Sequence, residues 1–531
     1  QRQMCIRDSM KKALCLMIAL LLGLSLFPGG AWASEEGEYR DTLYYSNGED
    51  IATLDPQAQT SVSTSEILYH IYDCLTKQTE DGIPTGDLAT SWEVSEDSTV
   101  WTFHLKENIV FHDGKPCDAE AVKASFERVM NPDNALSGYA QASLIDHIET
   151  PDDSTVVFYL NTPYAVLAAS FCSTMFCIVD ADSVEAYGDA FGTDPASANG
   201  TGKYRCVNWE KDQGVTLEAV EGHWSGSDAL TKYIVTRPTV DSSSRLIALE
   251  TGELDAIKDV ASDDIEYIQT NPNLQLLRVM SNGIFYFNFN MNDSMMADTN
   301  IRKAIVACFD GKTLCETLLA EVGYRPVSCL SPKVNYIVDL GYKEQDLEAA
   351  KEYLALAGYP DGFETTIVTT TRYAYGVEMA EYLASQLELI GIKANIEVIE
   401  WSVYSDAIYN WDRSRFDWPI FLMGNAPSSM DADGGMNPLF ATVAPDATYR
   451  RNYGYYENEE VDALLKEGYS TADPAQRQEI YTRLQEILYT EDPAAVYLYV
   501  GAKTVASSTK VSGIVMLSNG YVDFENAVVL K

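Results

Sequence analysis

Gly311-Lys312-Thr313 ends like a phosphate-binding loop, whose backbone amides and lysine would cradle a nucleotide. Val306 stands where such a loop needs its first glycine, so the cradle is missing. Asp431-Ala432-Asp433-Gly434 opens like a calcium loop, in which alternate carboxylates surround a hard cation. Gly435 occupies the next ligand position and no acid closes the site, so a solvated turn is expected there. No Gly-x-Ser-x-Gly nucleophile elbow and no His-Glu-x-x-His zinc helix occurs. The five histidines, His70, His104, His112, His147 and His223, show no i, i+4 pairing and read as packing or hydrogen-bonding residues. The 79 acidic residues offer too many carboxylate pairs for spacing to single out a general acid and base. Neither a catalytic residue, a metal nor a cofactor is expected.

The chain has ten cysteines, two of them, Cys5 and Cys15, in the first 33 residues. The others are Cys74, Cys117, Cys172, Cys177, Cys206, Cys308, Cys315 and Cys329, with no Cys-x-x-Cys pair to suggest a zinc ribbon or a thioredoxin-like motif. Cys172 and Cys177 are the closest pair in sequence. A chain this long needs no disulfide staples, so buried free thiols are the expected state. What remains is recognition. The 33 tyrosines and 8 tryptophans combine a broad apolar face with a hydrogen-bonding tip, the chemistry of a binding pocket.

The elements that must carry such a pocket are readable in outline. With 37 basic and 79 acidic side chains the formal charge is −42, which repels phosphate backbones and anionic lipid and excludes charge-driven nucleic-acid or membrane-surface binding. At 46% hydrophobic and 11% aromatic residues the chain is equipped to fold, and 531 residues suggest about three domains. Thr42–Tyr45, Val100–Leu105 and Val156–Leu160 read as strands, and Asp113-Gly114 as a tight turn. Asp118 is placed to cap a helix whose Val122, Phe126, Val129 and Met130 share a face. Farther on, Met379, Leu383, Leu387 and Ile390 repeat at helical spacing. Gly391 stops that helix, and Ala394, Ile396 and Val398 alternate as a strand. Ile480, Leu484, Ile487 and Leu488 precede the apolar strand Val496–Val500 in the same way. Helices alternating with strands indicate α/β lobes.

At the N-terminus, Met10-Lys11-Lys12, the apolar run Ala13–Phe27, Pro28-Gly29-Gly30 and Ala31-Trp32-Ala33 form the three parts of a secretory signal, with cleavage expected after Ala33. The run is shorter than the ~20 residues of a membrane span. Residues 1–9 fit no part of a signal and read as an artefactual leader. Cys15 lies at the start of the apolar run and not at the cleavage point, so an exported, periplasmic or extracytoplasmic protein without a lipid anchor is expected.

Several strings in fixed order resemble one family over almost the whole chain: Leu54-Asp55-Pro56, then Leu88–Val94 with Trp101–Leu105 and Val110–Gly114, then Ala119–Val122 with Ser125-Phe126. They continue with Gly200–Tyr204, Arg245 with Leu249–Asp255, Asn300–Ala304 ending in Asp310, Ala350–Gly362 and Leu387–Ile392. Lys203 departs from the family's usual proline. The set resembles the family 5 extracytoplasmic solute-binding proteins, the peptide and nickel receptors of ATP-binding-cassette (ABC) importers. The resemblance implies a bilobal α/β fold of the periplasmic-binding-protein type II class, in which two lobes close on a ligand and dock on a permease. It places lobe I at 34–75, 196–285 and 495–531, an inserted α/β subdomain at 76–195 and lobe II at 286–494. Hinges are expected near Phe285–Asn288 and Ala494-Ala495. A monomer is expected, with a peptide or small solute as ligand and the permease and its ATPases as partners.

In peptide-binding members a Gly-Trp…Asp stretch supplies a carboxylate for the peptide α-amine. Here the matching stretch is Met423–Asp433, with Asn425 at the tryptophan position and Ser428 at the acid position. A serine offers a neutral hydrogen bond where a carboxylate would hold an ammonium strongly. With Ser429 and the Pro438-Leu439-Phe440 ending, the pattern resembles the glutathione-binding branch, implying a γ-linked or modified peptide. Trp401 and Tyr404 are further candidate wall residues, and Arg372 with Tyr373 could meet a ligand carboxylate. Two other functions stay open: a receptor for nickel chelates or another small solute, and a secreted hydrolase.

Overall fold

The computed structural model describes residues 38–79, 81–409, 417–443 and 451–531. The expected leader 1–9 and signal 10–33 lie outside the described residues. Among those described, no helix is long and apolar enough to cross a membrane.

Alternation in Val100–Leu105 buries Trp101, Phe103 and Leu105 on one face, and the segment forms the predicted strand. It belongs to a four-stranded antiparallel sheet in the order Ala89–Val94, Val100–Leu105, Thr155–Leu160, Ile145–Asp152. Helix Ala119–Met130 covers this sheet. Asp118 caps it, accepting from the Ala121 amide, and Val122, Phe126 and Val129 are buried. Phe103, Phe126, Phe158 and Phe171 interlock beneath it at ring separations of 4.6–5.7 Å. This subdomain has its own core.

Among the described residues three two-stranded ribbons accompany the four-stranded sheet and the largest sheet, which has eleven strands. Its order is Lys393–Val398, Glu364–Thr369, Ile420–Asn425, Leu274–Phe289, Ala495–Ser508, Ala256–Lys258, Thr42–Ser46, Tyr233–Thr236, Gly214–Ala219, Tyr204–Glu210, with Gly323–Tyr324 pairing beside Ala495–Ser508. Glu364–Thr369 lies parallel to both of its neighbours. The crossover is helix Gly376–Glu388, which buries Met379, Ala380, Leu383 and Leu387 as its spacing predicts. Gly391 then reverses the chain at φ +86°, a conformation that a β-carbon disfavours.

Two long strands join the halves. Leu274–Met280 pairs with Ala502–Ser508, and Ile284–Asn288 pairs with Ala495–Val500. Side chains on the second stretch alternate between two cores: Ile284 and Tyr286 face helices Glu459–Ser470 and Pro474–Glu486, while Phe287 and Phe289 face helices Thr299–Cys308 and Leu347–Leu356. The expected crossings at Phe285–Asn288 and Ala494-Ala495 fall at the ladder's far end, where Asn288 pairs with Ala495. The larger break in register is at Ser281-Asn282-Gly283, with a second irregularity between Phe285 and Tyr286.

Of the eight described cysteines seven are buried and Cys172 is partly exposed. The histidines are hydrogen-bonding residues for the most part: His70, His112 and His223 contact the carbonyls of Val522, Gly202 and Thr201 at 2.8–2.9 Å. No group of three metal-ligating side chains occurs among the described residues.

Candidate functional site

Helix Trp401–Tyr409 follows strand Lys393–Val398 and presents its first residue beside the turn after Glu364–Thr369. The result is a ladder of rings. Trp401 meets Tyr373 edge-on at 6.0 Å, Tyr373 meets Phe285 at 5.7 Å, and Phe285 stacks on Tyr499 at 4.6 Å. The Arg372 guanidinium is exposed and sits 5.8 Å from the Trp401 ring, a cation–π arrangement. Burial pushes the Tyr373 phenol up to about 12, so it is a neutral hydrogen-bonding group at physiological pH.

Tyr404 departs from the expectation. It is fully buried, and its hydroxyl donates to the Leu422 carbonyl at 2.6 Å. Three residues into the helix, it turns toward the sheet and stacks behind Trp401 at 5.9 Å, so it supports the wall and presents no surface to a ligand.

Next to the ring ladder, strand Ile420–Asn425 runs out into the loop Ala426–Met430. Gly424 passes so close to Phe285 that a β-carbon would lie 2.8 Å from its ring, which explains the absence of a side chain there. Asn425 turns inward, donating to the Gly435 carbonyl at 3.2 Å, while Ser428 is exposed and Ser429 half-buried. The loop's backbone is held from three directions. Asn282 Nδ2 donates to the Pro427 carbonyl at 2.9 Å, Gln78 Nε2 to that of Ser429, and the Asn335 amide to that of Met430 at 2.7 Å. Asn282 belongs to the break between the two long strands and Gln78 to strand Thr76–Gln78, so the loop gathers three regions.

Its C-terminal end corrects the solvated-turn expectation. Asp431 and Asp433 are buried, 2% and 6% exposed. Asp431 takes a bidentate pair of bonds from Arg477 at 2.8 and 3.0 Å and accepts from the Asp433 amide, capping helix Ala432–Phe440. Arg477 in turn lies 4.5 Å from the Tyr336 ring. Burial and the neighbouring Asp431 charge raise the Asp433 carboxyl to about 6. Its partners are Asn437 at 3.1 Å and Tyr481 at 3.3 Å. The two acids are spent on protein contacts, and no calcium ligation is needed to explain them.

The candidate wall residues Arg372, Tyr373 and Trp401 and the candidate loop residues Asn425, Ser428 and Ser429 therefore come from one end of the large sheet, with Gly424 and Phe285 joining the groups. Gln78, Asn282 and Arg477 were not foreseeable from motifs. Asn282-Gly283 is a turn signal that marks the break, but nothing local points Arg477 at Asp431.

The profile of the bacterial extracellular solute-binding proteins, family 5 (middle part), matches residues 84–446. The chain belongs to this family. The glutathione-binding protein GsiB of Pectobacterium atrosepticum is 26% identical over 481 residues, 90% of this chain and 92% of that protein. Among solved structures, the periplasmic binding protein DppA of Helicobacter pylori in complex with the peptide STSA is 26% identical and superposes with a TM-score of 0.72 over 92% of this chain and 98% of its own. HbpA2 of Haemophilus parasuis, 24% identical, reaches 0.80 over 92% and 100%. As a family 5 solute-binding protein, the chain has the periplasmic-binding-protein fold expected from its motifs.

Proposed function

We propose that this chain is the extracytoplasmic substrate-binding component of an ABC importer, that it captures peptides between its two lobes, and that its specific ligand is glutathione-like: a γ-linked or otherwise modified peptide. The observation that carries the ligand class is the loop Asn425–Ser429, which offers a neutral serine hydroxyl at the surface beside an exposed Arg372: the ammonium of a γ-linked glutamate shares its carbon with a carboxylate, so that head suits a neutral acceptor and a guanidinium better than a second carboxylate. The likeness to GsiB and to peptide-bound DppA supports the same class.

The lobes keep the assignment 34–75, 196–285 and 495–531 against 286–494, with two adjustments. The packing favours a hinge at Ser281-Asn282-Gly283, where the long strands lose register, over one at Phe285–Asn288. It also favours a return from the inserted subdomain near residue 178, because Val179, Val184 and Phe191 already pack on the first lobe's core. A residue pair such as Tyr375 hydroxyl to Ser262 Oγ, 2.6 Å apart, spans the lobes. Closure would bring the first lobe over Arg372 and Ser428 and exclude water, strengthening each charged contact.

Thermal-shift screening with glutathione, dipeptides and nickel–histidine tests this. A ligand bound by the folded state alone raises the melting temperature, by an amount set by its concentration over Kd. Glutathione is expected to give the largest rise. A rise with nickel–histidine only would overturn the ligand class, and turnover of any peptide would overturn the receptor itself.

A further inference from the structure

Two chain segments connect the four-stranded subdomain to the rest of the protein, and a cysteine sits on each. Ile71, Tyr72 and Cys74 pack in the first lobe's core, whereas Leu75 already belongs to the subdomain's. On the way back, Phe176 and Ile178 belong to the subdomain's core while Cys177 and Val179 face the first lobe's. The crossings touch each other: the Ile178 amide donates to the Asp73 carbonyl at 3.0 Å. Cys74 Sγ and Cys177 Sγ are 3.1 Å apart, about 1 Å more than the ~2.05 Å of a disulfide bond. Cys172, the nearer to Cys177 in sequence, instead directs its thiol to Thr76 Oγ1 and the Ala168 carbonyl, both at 3.4 Å.

We infer that Cys74 and Cys177 are joined by a disulfide in the exported protein, stapling both crossings of the inserted subdomain. Both thiols are buried, 6% and 1% exposed, and burial raises the Cys74 thiol well above its ordinary range. Oxidation therefore belongs to folding, before the crossings close, with a disulfide donor such as oxidised glutathione or a thiol oxidase as oxidant. One cysteine thiolate attacks the donor's S–S bond, forming a mixed disulfide and releasing one donor thiol. The second cysteine thiolate attacks the protein sulfur of that mixed disulfide, forming the Cys74–Cys177 bond and releasing the second donor thiol. The two thiol protons end on the two released donor thiols, and the donor is reduced by the two electrons the protein loses. The bond closes a loop of about a hundred residues, since the partners are 103 positions apart, and so restricts the unfolded chain strongly.

The test uses the full chain refolded from denaturant in glutathione buffers of defined oxidised-to-reduced ratio, quenched in acid, alkylated and mapped by mass spectrometry. In oxidising buffer the expected result is two fewer alkylated thiols than in the reduced chain and a linked peptide pair containing Cys74 and Cys177. The oxidised protein should lose about 5 °C or more of melting temperature on reduction. A C74S/C177S double variant should melt at one temperature in both conditions. Full alkylation after oxidising refolding, a bond joining Cys172 to Cys177, or a melting temperature indifferent to reduction would overturn the assignment. Neither readout involves a ligand, so it stands or falls apart from the proposed function.

Discussion

Arg372, Tyr373 and Trp401 approach the surface through side chains that touch mainly one another, whereas the loop Ala426–Asp433, on the neighbouring strand, is clamped from below by a buried ion pair. The wall is held by ring contacts, each worth about 1 kcal/mol or less beyond its burial. Asp431 and Arg477 are both nearly inaccessible, and their bidentate bond fixes the loop's far end together with the cap of helix Ala432–Phe440. On the proposed function the contrast would separate two duties: one part would adapt to a ligand, and the other would hold its backbone still so that Ser428 and Ser429 present their hydroxyls at fixed points.

Breaking the clamp should have the largest effect. Arg477→Met leaves Asp431 as a buried, unpaired carboxylate and is expected to cost about 3–5 kcal/mol, read as a lower urea midpoint. If the midpoint stays within ~0.5 kcal/mol of the parent, the pair is not the loop's anchor. Asp433 gives a pH test of the same region. Its carboxyl is raised in the fold to about 6 from an ordinary value near 4, so its favourable contribution is complete below that ordinary value and lost as pH rises through 6. Asp433→Asn should therefore be more stable than the parent at pH 7–8, by up to about 3 kcal/mol, with the gain vanishing near pH 4. An unchanged difference between those pH values would show that Asp433 does not titrate high.

The wall should respond the other way. Arg372→Ala is expected to leave the melting temperature unchanged and weaken glutathione binding about 10- to 100-fold, the loss of a hydrogen bond to a charged group. Equal affinity would remove Arg372 from the site. Ser428→Asp should have the smallest effect on stability and shift preference toward α-linked dipeptides, whose ammonium has no carboxylate on the same carbon. No change in ligand preference would mean that the loop does not face the ligand's amine.

How much of this could be read in the sequence follows the range of the interactions involved. Val100–Leu105, the Asp118-capped helix and the unit from Met379 to Val398 declare themselves because period and cap are local signals. Tyr404 was legible in principle: with Trp401 and Ile408 it repeats at helical spacing, and the same periodicity that makes the helix turns it inward. Asp431 and Arg477 are 46 positions apart and Cys74 and Cys177 are 103 apart, so no pattern couples them before the chain is folded. A charged pair spaced like a metal loop looked solvated because its partner was out of sight. The loss of register between Met280 and Ile284 carries a local turn signal in Asn282-Gly283, but its size shows only against the partner strand.

The most direct test of the central claim is titration calorimetry of glutathione into the purified, ligand-free chain. Saturable one-to-one binding, stronger than that of any simple dipeptide and weakened at least tenfold in Arg372→Ala, is the predicted result. No heat from glutathione where a dipeptide or nickel–histidine saturates the protein would contradict it.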